Sequence, residues 1–102
     1  MNDLVEKINQ WVIDRNLHTQ DPRIQLCKTM EELGELVQAI LKSKDAEAKD
    51  GVGDIVVTLI CLCAQKGWDF EECVALAYDE IKDRKGRLVD GVFVKEKDLR
   101  IE

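Results

Sequence analysis

Asp54-Ile55-Val56-Val57-Thr58-Leu59-Ile60-Cys61-Leu62-Cys63-Ala64 is the stretch on which the fold turns. Read in isolation, Ile55-Val56-Val57 favours a strand, because β-branched side chains suit a pleated surface. The surrounding segment, from about Ala46 to Lys66, is too long for a strand and carries no flanking turn signal. Gly67 then stands where glycine ends a helix. Thr58 alone interrupts the apolar run from Ile55 to Ala64, so on a helical projection apolar residues cover every side. The reading is a buried helix. In a chain of 102 residues, a helix apolar all round also points to an oligomer. The ten residues of the run are too few to span a bilayer.

The rest of the chain reads as helical on either side of it. Leu4, Val5, Ile8, Trp11 and Val12 make one apolar stripe in a helix from about Asp3 to Asn16. Asp21-Pro22 pairs a capping carboxylate with proline at the first helical position. The helix it starts runs to about Leu41, with Leu26, Met30, Leu33, Val37 and Ile40 as its stripe and Leu36 and Leu41 at the flanks. Ser43-Lys44-Asp45 reads as a turn. Asp69, with Glu72 three residues on, has the pattern of a capping box for a fourth helix carrying Val74, Ala77, Tyr78 and Ile81. Leu88 to Lys95 alternates around Asp90-Gly91 and reads as a turn with a short extended piece. The expected fold is an all-α four-helix bundle with a short extended C-terminal tail.

Composition narrows the function. The chain is 45% hydrophobic and 35% charged with few Gly and Pro, as suits one helical domain. A net charge of −6 argues against a nucleic-acid surface, and no segment suits a membrane span. Met1-Asn2-Asp3 lacks the basic and apolar regions of a signal peptide, so the expected location is cytoplasmic. Cys27, Cys61, Cys63 and Cys73 show no CxxC spacing, and His18 is the single histidine; core packing accounts for the cysteines better than zinc. The lack of Glu-x-x-His pairs removes a di-iron carboxylate bundle. Trp11 lies in an apolar stripe and reads as core rather than as a platform for a base.

Chemistry concentrates in two acidic clusters, Glu31-Glu32-Leu33-Gly34-Glu35 and Asp50-Gly51-Val52-Gly53-Asp54. Like charges one turn apart cost a helix roughly 0.2–0.5 kcal/mol per pair, and nothing local offsets that. Asp50 and Asp54 lie on one line with Val57 and Cys61, at steps of four, three and four. Asp54 therefore stands at the edge of a packed surface, where a carboxylate must be hydrogen-bonded, ion-paired or metal-bound. Clustered carboxylate oxygens suit a hard divalent cation such as Mg²⁺, which would explain both helices together. Gly34 and Gly53 allow either close approach at the cluster or tolerated glycine. The basic end of the fourth helix, Lys82-Asp83-Arg84-Lys85-Gly86-Arg87, suits the helix dipole and could equally meet phosphate.

These residues resemble the all-α nucleoside triphosphate pyrophosphohydrolases of the MazG-like group, whose signature is EExxE followed by ExxD on the next helix. Glu31-Glu32-Leu33-Gly34-Glu35 matches the first half, and Gly53-Asp54-Ile55-Val56 matches the end of the second. The resemblance covers roughly residues 5 to 87. It implies a helical domain over 1–87, with 88–102 as a tail. It implies hydrolysis of a nucleoside or deoxynucleoside triphosphate to monophosphate and pyrophosphate, a nucleotide-pool housekeeping reaction. The implied metal ligands are Glu32, Glu35 and Asp54, with Asp50, holding Mg²⁺ or alternatively Mn²⁺. Glu31, or a free oxygen of a ligand carboxylate, would accept the proton of the attacking water. Lys82, Arg84 and Lys85 would complement phosphate charge, and the chain would assemble as a homodimer or homotetramer. One departure is that Gly51 stands where ExxD has its glutamate, with Asp50 as the nearest substitute. That departure leaves a second reading, a non-catalytic helical module of the same group that binds a nucleotide or a protein partner.

Overall fold

The computed structural model describes residues 2–99. Four helices, α1 (Asn2–Asp14), α2 (Pro22–Leu41), α3 (Asp45–Lys66) and α4 (Phe70–Ile81), are followed by two strands, β1 (Gly86–Val89) and β2 (Val92–Lys95). Short 3-10 turns lie at Leu17–Thr19 and Glu96–Asp98. The fold is all-α with a small hairpin, and the Ile55-Val56-Val57 run lies within a 22-residue helix. The described residues fall into two compact units, divided between Glu72 and Cys73. No single helix among the described residues is long and apolar enough to cross a membrane.

Local chemistry sets the helix ends. The Asp21 carboxylate accepts from the Arg23 amide at 2.9 Å and also holds the Arg23 guanidinium at 2.8 Å. Gly67 adopts φ 70, and the amides of Gly67 and Trp68 return to the carbonyls of Ala64 and Cys63. The same paired closure ends α2, where the Ser43 and Lys44 amides return to Ile40 and Ala39, but here Ser43 rather than a glycine takes the left-handed conformation (φ 57). Asp69 caps α4 through the Glu71 amide at 3.0 Å.

The first unit is organised by α3. It packs most extensively along α2, and also against α1 and the Leu17–Thr19 turn. Ile60 and Val12 are fully enclosed, with Val5, Ala39, Ala48, Cys61, Cys63 and Phe70 buried around them. Cys27, by contrast, is exposed.

The α2 face that meets α3 is not the apolar stripe expected from its sequence. The less exposed positions of α2 are Gln25, Thr29, Glu32, Leu36 and Ala39, at steps of four, three, four and three. This is a helix seam built largely of polar and small residues. Its polar atoms are matched across the interface: Gln25 Nε2 donates to the Thr58 carbonyl at 3.1 Å, and the Thr29 hydroxyl donates to Thr58 Oγ1 at 2.9 Å. The Thr58 hydroxyl in turn donates to the Ile55 carbonyl at 2.7 Å, and the Cys61 thiol to Gln25 Oε1 at 3.4 Å. Gln65 Nε2 ties α3 to the Leu17 carbonyl at 3.0 Å. The stripe of Leu26, Met30, Leu33, Val37 and Ile40 remains exposed, Met30 at 73%. Trp11 is likewise exposed rather than core, with Arg15 lying 4.3 Å over its ring.

In the second unit, β1 and β2 pair antiparallel through Asp90-Gly91, both at positive φ as a tight two-residue hairpin turn requires. Gly86 is obligatory there, because a Cβ would collide with the Val94 carbonyl and the Phe93 ring. The hairpin leaves Leu88, Val89, Val92 and Phe93 exposed, and α4 exposes Val74, Leu76, Tyr78 and Ile81.

Two substitutions test the seam. Thr58→Val keeps the volume but deletes a hydroxyl bonded on both sides, and should cost about 1 kcal/mol in urea unfolding. Gly51→Ala adds a Cβ at ordinary contact distance, 3.5 Å from Leu36, and should stabilise α3 by up to about 1 kcal/mol in the same measurement.

Candidate functional site

Where α2 and α3 run side by side, their carboxylates meet. Glu32 lies in the seam itself, one turn before Leu36, and Glu35 stands on its flank. Asp54 is half-buried at the edge of α3, with Asp50 one turn before it. The four act on one another. Burial first, and then the charges of Glu35 and Asp54, hold the Glu32 carboxyl above its ordinary range. Burial first, and then the Asp50 charge, does the same to Asp54, with Glu35 adding to the effect.

Among the described residues, no positive charge is ion-paired with these groups. None of the ion pairs among the described residues includes Glu32, Glu35, Asp50 or Asp54. Lys28 lowers the Glu32 value, but its ammonium lies 3.9 Å from Glu31. The structural ion pair considered for Asp54 is therefore absent among the described residues. The donor set, carboxylate oxygens alone, suits Mg²⁺ or Mn²⁺. The described side chains are not drawn into a ready cage, however: no group of three or more of them is spaced to hold an ion. The chemistry of the set fits a hard cation, and the carboxylates would have to close around it.

The remaining candidates fall elsewhere. Glu31 points away from the seam and pairs weakly with Lys28. With Gly34, Glu35, Lys42 and Lys44 it lines an open depression where the end of α2 meets the start of α3. Lys82, Arg84 and Lys85 belong to the second unit, where Lys82 pairs with Asp79 at 3.2 Å and Arg84 with Glu80 at 3.5 Å. The expected basic last turn is not helical: α4 ends at Ile81, so Lys82 and Arg84 lie just beyond it and each pairs with a carboxylate of the final α4 turn, while Gly86 and Arg87 belong to β1.

The structure also explains Gly51. A Cβ at that position would lie 3.5 Å from both Cβ and Cδ1 of Leu36, so Leu36 occupies the space in front of it. Sequence reading missed Glu47. It lines the same depression as Glu31 and Glu35 and begins Glu47-Ala48-Lys49-Asp50, a literal ExxD one turn before the expected one. That spacing was the signal that could have found it.

The raised carboxyls have a consequence for stability. A group whose pKa rises on folding binds more protons folded than unfolded, so its contribution falls as pH climbs through that window. In metal-free buffer, the part of the thermal midpoint set by Glu32 and Asp54 should decline from the ordinary carboxylate range towards neutrality. Asp21, held low by Arg23, acts in the opposite sense, so the comparison must be made within one background. Asp54→Asn should flatten the decline and raise the midpoint at pH 7, as read by melting curves from pH 4 to 8.

The chain matches the model of the MazG nucleotide pyrophosphohydrolase domain over residues 20–89. It is also 39% identical over 70 residues to an uncharacterised 18.2 kDa protein from the rep–hol intergenic region of Haemophilus phage HP1. That match covers 68% of this chain and 43% of the phage protein, so the chain spans less than half of its relative's length. No solved structure matches it. The domain match takes in both acidic clusters and α4, and on that match the chain belongs to the MazG nucleotide pyrophosphohydrolase family.

Proposed function

We propose that this chain is a Mg²⁺-dependent nucleoside or deoxynucleoside triphosphate pyrophosphohydrolase of the nucleotide pool. The observation that carries the reading is the gathering of Glu32, Glu35, Asp50 and Asp54 with no ion-paired cation among the described residues. Those four residues would hold Mg²⁺, or Mn²⁺ in its place. When bound, such an ion would neutralise phosphate charge and help orient the attacking water. The water oxygen bonds to phosphorus, the α–β anhydride breaks, and monophosphate and pyrophosphate leave. Glu31, which lies outside the seam, or a free oxygen of a ligand carboxylate would take the water's proton. Lys82, Arg84 and Lys85 are proposed to complement phosphate charge, with Lys82 and Arg84 exchanging Asp79 and Glu80 for phosphate oxygens. The reaction would take place on free nucleotides in the cytoplasm.

The non-catalytic alternative draws on Gly51, where Leu36 fills the place of a carboxylate. The two readings separate in one assay. Pyrophosphate should be released from at least one member of a full ribo- and deoxynucleoside triphosphate panel, and EDTA should abolish it. Glu35→Ala and Asp54→Ala should each lower kcat/KM by about a hundredfold or more with the helical circular dichroism retained. Nucleotide binding without any turnover would favour the binding module.

Self-association is part of the same proposal. A contiguous stripe of five large apolar side chains along α2 is more than an isolated soluble protomer ordinarily leaves in water. The exposed apolar residues of α4 add a second such face. We expect a homodimer or homotetramer, with Leu33→Glu shifting the sedimentation velocity profile towards monomer.

A further inference from the structure

The carboxylate that Gly51 lacks has a counterpart one turn earlier on α3. Glu47 and Asp50 keep the spacing of three that puts two side chains on one side of a helix. Leu36 fills the space in front of Gly51, 3.5 Å from where its Cβ would lie. Glu47 is exposed instead, and opens onto a depression of about 620 Å³. Glu35 lines the same depression and links it to the acidic cluster, because its charge acts on both Glu32 and Asp54. Lys42 and Lys44 line it as well, yet no ion pair among the described residues includes Glu47. Gly34 also lines it, and a Cβ there would meet no atom within 4 Å, so the approach to Glu35 and Glu47 is open.

We infer that Glu47 is a ligand of the divalent cation in this chain, forming with Asp50 the glutamate–aspartate pair that Gly51 denies to the next turn of α3. The inference rests on the metal-dependent reading above and adds a ligand that lies outside both acidic runs. Hard cations accept carboxylate oxygens from whichever element brings them near, so a ligand can pass from one turn of a helix to the next without a change of chemistry. What decides its position here is packing. With Leu36 against α3 at residue 51, a glutamate there would have to displace a side chain of the seam, whereas one at 47 displaces nothing. A plainer account of Glu47 is that a carboxylate in the first turn of α3 suits the helix dipole. That account applies equally to Asp45, which stands in the same turn but does not line the depression. The dipole therefore gives no reason for a carboxylate that faces Glu35 across an open depression.

Mn²⁺ uptake by the nucleotide-free protein separates the two accounts, with free Mn²⁺ read by electron paramagnetic resonance at high salt. Loss of a mere outer-shell partner costs a metal site about 10–100-fold in affinity, so Glu47→Gln should weaken Mn²⁺ by about tenfold or more. Asp45→Asn removes the same charge from the same helical turn and should change the affinity by about threefold at most, because salt screens a charge that does not touch the ion. Glu47 is exposed, so Glu47→Gln should keep the fold, and circular dichroism checks that it does. A loss in Glu47→Gln no larger than that in Asp45→Asn overturns the inference and leaves Glu47 to the helix dipole. A wild-type protein that takes up no Mn²⁺ overturns it as well. The two readings fail separately. Uptake weakened in Asp54→Asn but unchanged in Glu47→Gln sinks the Glu47 assignment and leaves the hydrolase standing. Uptake weakened in Glu47→Gln, in a protein releasing no pyrophosphate from any triphosphate, sinks the hydrolase and keeps the ligand.

Discussion

The α2–α3 seam is the contact on which the rest of the first unit depends. It is held by side chains that sequence patterning ranks low: Gln25, Thr29 and Thr58 bond across it, and Leu36 packs beside Gly51. Hydrogen bonds of this kind contribute only about 0.5–1.5 kcal/mol each, but an unmatched partner in the same place costs more, so they fix which faces meet. Once Thr29 and Thr58 are in register, Glu32 is carried into the interface and Asp54 is carried to its edge. The acidic site thus follows from a polar seam. A seam formed by the leucine stripe would have turned the glutamates away from α3.

That choice of face is also where sequence reading was least informative. Caps and stops were legible because single residues enforce them: Asp21-Pro22 at the start of α2, Gly67 at the end of α3 and Asp69 before α4 all act as expected. The helical state of Ile55-Val56-Val57 was legible from segment length against local β preference. The stripe of Leu26 to Ile40 was correctly grouped on one side of α2, yet periodicity does not say whether an apolar face is buried within the chain or left for something else. Trp11 failed for the same reason. Its position in a stripe suggested core, while its amphipathic ring is exposed beneath Arg15.

Within the site, the residues that matter most electrostatically are not the most conspicuous in the sequence. The Glu31-Glu32 pair looks like a unit, but adjacent positions on a helix point about 100° apart. One of them enters the seam and the other turns to solvent. Glu47 shows the converse. It lies outside both acidic runs, yet a helix turn brings it to the depression that Glu31 and Glu35 line. The substitution at Gly51 has a packing account, since the side chain that fills its space comes from α2. Carboxylate number near the seam is thereby retained through Asp50 and Glu47 while the seam itself stays close-packed.

The three glycines of the acidic segments divide by the same logic. Only Gly51 makes a close helix approach; Gly34 and Gly53 face open space on both counts. Each of those two costs its helix about 1 kcal/mol relative to alanine, with no packing gain to offset it. Their positions give the cost a meaning. Gly34 lines the depression shared by Glu31 and Glu35, and Gly53 lines a groove between α1 and α3 that also takes in Asp50 and Asp54. The carboxylates are therefore flanked by two concavities, each bordered by a residue without a side chain. A cluster serving only to bind an ion would need neither opening.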